Sequence, residues 1–148
     1  MYEWIQFFHL AAAVIWLGGM ALVLLALRPA AIRSLEPAQR LPLMAAVLAR
    51  FFTMVWISIA VLLGSGLWMM LSADLRLAPR GWHVMSGLGT LMCLIFAHLW
   101  LVPYRRLKTA IAAGDLPAAG VALGQIHPLV VTNFALGWLA VAAVQLWR

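Results

Sequence analysis

Four long apolar stretches, separated by short segments that hold nearly all the charge, organise this chain. They run from Trp4 to Leu27, Phe51 to Ser72, Trp82 to Tyr104 and Ile126 to Trp147. None alternates apolar with polar residues as a barrel strand does, and each has about the 20 residues a helix needs to cross a bilayer's hydrocarbon. Backbone polar groups in lipid must be satisfied within the segment, so the pattern predicts an all-α integral membrane four-helix bundle. The short connections leave no room for a second core, and residues 1–148 are expected to form one domain.

The connections refine this. RPAAIRSLEPAQRLPLMAAVLAR, after the first span, reads as a turn that becomes an interfacial helical extension from about Pro42 and feeds the second span. In the short ADLRLAPRG connection, Pro79 suits the first turn of the third helix. That helix should continue to about Ala113 and turn at Gly114, and the chain should restart at Asp115, an N-cap with Pro117 close behind. Small residues at Ala11, Ala12, Ala13, Gly18, Gly19, Gly64, Gly66, Gly87 and Gly89 mark expected helix contacts. Trp4, Trp68, Trp82, Trp100 and Trp147 lie near span ends, where an interfacial belt explains them.

Composition agrees with a membrane reading: 66% of the 148 residues are of the AVILMFWYC group and 9% are charged. MYEW carries an acid where a signal peptide has its basic region, so the first span is expected to remain in the mature protein. Arg28, Arg33, Arg40, Arg50, Arg105, Arg106 and Lys108 fall in the first and third connections, against Arg76, Arg80 and Arg148 on the other side. This bias predicts a multi-pass protein of the bacterial inner (cytoplasmic) membrane with both termini periplasmic. The net charge of +6 is largely this topological signal. No basic run is interleaved with aromatics, so no nucleic-acid partner is expected. Cys93 stands alone mid-helix and reads as an inert buried thiol.

The chemistry gathers at four histidines, His9, His83, His98 and His127, each within or at the edge of a span. An imidazole in hydrocarbon is costly without a partner, and no spanning Asp, Glu, Lys or Arg is present to form a proton relay. By the predicted topology, His9 and His83 share the outer leaflet, and His98 and His127 the inner. His83 and His98 are about 22 Å apart along one helix and point to about the same side. His9, Ala13, Trp16 and Met20 form one stripe of helix one. Imidazoles on different helices at matched depth suit haem iron, which takes axial ligands from both faces of the porphyrin. Copper is the rival, because Met69, Met70 and Met85 gather near His83, and thioether with imidazole suits Cu(I).

FFHLAAAVIWLGGM, GWHVMSGLGTLMCLIFAHLWLVPYRRLKTAIAAGD and IHPLVVTNFALGWLAV resemble the CopD copper-resistance family in its short, single-domain form. LRPA after helix one and FF opening helix two extend the likeness over nearly the whole chain. The same segments are similar to HemJ, the membrane protoporphyrinogen oxidase family that carries b-type haem. The HemJ histidines fall on His9, His83 and His98. Met85 replaces the lysine of that family, and His127 stands where it has a glutamate before the helix-four proline.

The resemblance implies a bundle with His9, His83 and His98 as its polar centre and a redox or electron-transfer role linked to copper or haem handling. A membrane haem oxidoreductase is the enzyme it would imply. In the haem reading, the cofactor is haem b, His9 and His83 serve an outer site, and His98 with His127 an inner one. Trp16 walls the pocket, and Arg105 or Arg106 meets the propionates. In the copper reading the ligands come from His9, His83, His98, Met69, Met70 and Met85. A HemJ-like oxidase is the third alternative. The expected partners are the bilayer and a redox partner or copper donor of unknown identity, and homo-oligomerisation stays open.

Overall fold

The computed structural model of the chain describes residues 1–72 and 79–147. Most of the second connection, with Arg76, and the terminal Arg148 lie outside the described residues. All regular structure among the described residues is helical: α1 (Tyr2–Ala21), a π-helical segment (Leu22–Leu27), α2 (Arg28–Ser34), α3 (Pro37–Ser72), α4 (Arg80–Leu101), α5 (Pro103–Ala112) and α6 (Leu116–Leu146). They combine into four helices long and apolar enough to cross a membrane, Tyr2–Ser34, Pro37–Ser72, Arg80–Ala112 and Leu116–Leu146. The protein is an all-α membrane four-helix bundle.

Two boundaries differ from the sequence expectation. The first helix does not turn at Arg28; it stays helical to Ser34 and leaves at Leu35, whose backbone is extended. A proline ring clashes with the carbonyl four residues back in regular α-helix. Here the Arg28 N–H bonds Val23 O, five residues back, and this wide turn just before Pro29 lets the helix continue. The second helix begins at Pro37 rather than near Pro42, because a proline in a first turn gives up an N–H with no intrahelical partner anyway.

The turn into α6 is as expected. Gly114 adopts φ +69°, open to a residue without a Cβ, and the Asp115 carboxylate accepts from the Ala118 N–H at 2.9 Å. Asp115→Ala should therefore cost about 0.5–2 kcal/mol, with Asp115→Asn nearly neutral, when thermal unfolding of the two variants is compared in detergent.

Around the bundle, α1 lies along α3 and α4 along α6, and the α1–α6 and α3–α4 contacts close the ring. Among the described residues α1 and α4 make no backbone approach and so sit diagonally, with only long side chains meeting across the core. The Trp16 and Phe96 rings do so, with centroids 6.1 Å apart. Met20, Leu48, Phe52, Val55, Leu99 and Leu107 are almost fully buried. Phe7, Leu10, Leu25, Leu63, Leu94 and Leu139 face outward and are more than half exposed. A protein surrounded by water rarely leaves so much large apolar surface open, whereas lipid covers it without penalty.

The tightest helix contacts fall at glycines, but only partly at those singled out above. A Cβ on Gly19 would run into the Phe51 ring, and one on Gly66 would meet the His9 ring at 3.6 Å. Around Gly18, Gly64, Gly87 and Gly89 there is open space among the described residues. Equally tight approaches fall at two glycines not singled out, Gly81, under the Ala143 and Trp147 carbonyls, and Gly137, against Leu17 and Met92.

Candidate functional site

Two ends of the bundle can be told apart by contact. At one, Tyr2 of α1 meets Trp68 of α3, ring centroids 6.2 Å apart, and the Gly81 N–H of α4 bonds Trp147 O at 3.0 Å. The other carries Arg28, Arg33, Arg40, Arg105, Arg106 and Lys108 and is called the basic end below.

His9 is half-buried between α1 and α3, with its Nδ1 2.7 Å from Ser65 Oγ. The Ser65 hydroxyl donates to Val61 O, one turn back on its own helix. A hydroxyl has one proton, and this one is committed, so the Ser65 oxygen accepts from His9 and the imidazole donates through Nδ1–H. Neutral His9 then keeps the lone pair on Nε2. This is the arrangement of a metal-binding histidine, whose other nitrogen is held by an outer hydrogen bond that fixes tautomer and ring orientation.

Soft donors follow Ser65 along α3. Met69 is one turn beyond Ser65 on α3 and is buried, and Met70 beside it faces α4. Ser86 Oγ lies 3.6 Å from Met70 Sδ but donates a much shorter bond, 2.8 Å, to Trp82 O. The shorter bond takes the proton and leaves the thioether lone pairs free. Met85 precedes Ser86 on α4 and is half-buried. The His9–Ser65 and Met70–Ser86 contacts thus tie α3 to α1 and to α4 at the end opposite the basic one.

The other histidines are placed differently. His83 and His98 are both exposed on α4, on a face that also holds Gly87, Thr90, Leu94, Leu101 and, beyond the break, Arg105. The expected common direction of the two rings holds, but it points out of the bundle. His83 and His9 sit on the diagonal pair of helices, and His9 is engaged by Ser65. His127 is half-buried and lines a small recess with Arg28, Met44 and Leu48, on the side of α6 facing the first span, while His98 faces outward. Among the described residues, no three His, Cys, Asp or Glu side chains come together as a metal site. Trp16 is buried and packs on Phe96, as a wall of the core. Cys93 is free and half-buried.

Three polar residues escaped the sequence reading. Ser65 bonds His9 and Ser86 lies beside Met70, and a serine inside GSG or next to a methionine in an apolar span was the available sign. Asn133, in the middle of α6, is buried; its Nδ2 donates to Met92 O at 3.2 Å and, among the described residues, its Oδ1 has no partner. A lone carboxamide in a span is itself a signal, because a polar group in hydrocarbon needs a reason to be there.

The family model for Copper resistance protein D (CopD) matches residues 45–147. No curated protein and no solved structure matches the chain.

Proposed function

The chain belongs to the CopD copper resistance protein family, and from that premise we propose that this multi-pass membrane protein handles Cu(I) through His9, Met69 and Met70. One observation carries the reading. Ser65 Oγ lies 2.7 Å from His9 Nδ1 while its proton goes to Val61 O, which favours the Nδ1–H tautomer and leaves Nε2 as a ligand nitrogen on a helix pair that bears methionines. Imidazole with thioether is a donor set that suits Cu(I) over harder cations. Met85 and exposed His83 extend the soft and nitrogen donors outward on α4. In the inner-membrane topology the basic residues favour, with both termini periplasmic, this end faces the periplasm, and copper would be taken from a donor there.

Resident haem b has less support. Axial ligation asks for two imidazoles facing one porphyrin, and the contacts give His9 to Ser65, His127 to the Arg28 recess, and His83 and His98 to the outer face of α4.

Chelator competition on the purified, detergent-solubilised protein tests the copper reading. Wild type should hold stoichiometric Cu(I), and His9→Ala or the Met69→Leu/Met70→Leu pair should lose it. Ser65→Ala, which keeps every donor but frees the ring, should weaken the affinity by about 10- to 100-fold. Unchanged binding in all three variants would refute the assignment. A Soret band in the same preparation, weakened by His9→Ala or His98→Ala, would replace it with the haem reading.

A further inference from the structure

A cavity lies far from these donors, at the basic end. It is an open groove of about 500 Å³ between α5 and the start of α6. The groove forms because α4 stops at Val102 and α5 restarts at Pro103, and the residues that then face α6 include Ala110, too small to fill the gap. Leu101 and Val102 give it an apolar sector continuous with the lipid-facing surface, and Arg105, Arg106, Thr109 and Asp115 supply its polar one.

The polar sector is net cationic. The Asp115 carboxylate caps α6 through Ala118 N–H, and the Thr109 hydroxyl donates to Arg105 O at 3.1 Å. Arg106 reaches Gln125 Oε1 at 3.5 Å, which occupies one of its five N–H groups. Two guanidiniums against one carboxylate leave a positive charge beside an apolar wall at the end of a spanning helix. The topological bias accounts for basic residues at this end. It does not account for two of them lining a groove with a greasy side.

We propose that this groove binds an anionic phospholipid, its phosphate on Arg105 and Arg106 and its acyl chain along Leu101 and Val102. Guanidinium forks match phosphate oxygens in paired hydrogen bonds, and basic pockets between membrane helices favour acidic headgroups for that reason. A soluble anion would use the arginines but not the apolar sector. Lys108, on the same helix, lies 5.8 Å from the Tyr104 ring centroid and outside the groove, so it supplies an internal control.

The test is native mass spectrometry of the full chain in non-ionic detergent with phosphatidylglycerol or phosphatidylcholine added. Wild type should retain phosphatidylglycerol about tenfold better. The preference should vanish in Arg105→Gln/Arg106→Gln and survive in Lys108→Gln, with circular dichroism confirming that both fold. Arg105→Lys, which keeps the charge but not the fork, should give an intermediate value. Equal retention of the two lipids by wild type, or equal loss in Lys108→Gln, would overturn the proposal. Displacement of the lipid by millimolar inorganic phosphate would also overturn it, by making the site one for a free anion.

Discussion

Gly81→Ala should destabilise the bundle by about 1–3 kcal/mol, while Gly87→Ala, six residues along the same helix, should be neutral or slightly stabilising. The added methyl is identical, so the difference isolates what surrounds each position. At Gly81 it would collide with the Ala143 carbonyl of α6 and that of Trp147 just beyond its end, backbone atoms that have no rotamer to escape into. The Gly81 N–H bonds Trp147 O at 3.0 Å, so separating the helices to admit the methyl also breaks a hydrogen bond in a low-dielectric setting. At Gly87 nothing among the described residues lies within 4 Å, and alanine only gains helix propensity. Thermal unfolding in detergent, with all variants in one lipid–detergent mixture, measures both. Equal midpoints would mean that α4 and α6 do not meet at Gly81 as described.

Phe52→Ala should cost about 2 kcal/mol, less than the same change in a soluble core. Phe52 is 1% exposed and sits among three rings, with centroids 4.8 Å from Tyr104, 5.3 Å from Phe96 and 6.0 Å from Phe51. In water, truncating such a residue loses both transfer free energy and packing. Lipid tails are as apolar as the core, so in a bilayer the transfer part largely falls away and the cavity part remains. A residual void of roughly 100 Å³ at about 24 cal/mol per Å³ gives the figure above. Phe52→Leu should recover about half of it. A loss near 4 kcal/mol would show that the unfolded reference exposes this ring to water.

The spans were legible because their signal is strong and local: uninterrupted apolar runs, with Gly114 and Asp115 marking the last turn by backbone and capping chemistry. The first connection was not, because Pro29 ordinarily ends a helix and the sequence carries no mark of a π turn that accommodates it. Periodicity placed His83 and His98 on one side of α4 but could not say which side meets a neighbour. In a water-soluble bundle a polar face would answer that. A helix in lipid is apolar all round, and its outward and inward faces differ mainly in fit, as at Gly81 and Gly137, which depends on residues distant in sequence. The stripe of His9, Ala13, Trp16 and Met20 was legible, but the partner of His9, Ser65, lies 56 residues away, on a helix whose rotation no local pattern fixes.

The wide turn over Leu22–Leu27 also governs where the two ends of the first span look. It takes in one residue more than ordinary winding, and one residue is about 100° of rotation. With that offset, His9 is aimed at Ser65 while Arg28 reaches the His127 recess. Uniform winding would swing one of them more than a quarter circle away. The inserted residue is thus a phase adjuster that ties side-chain orientation at one membrane face to that at the other.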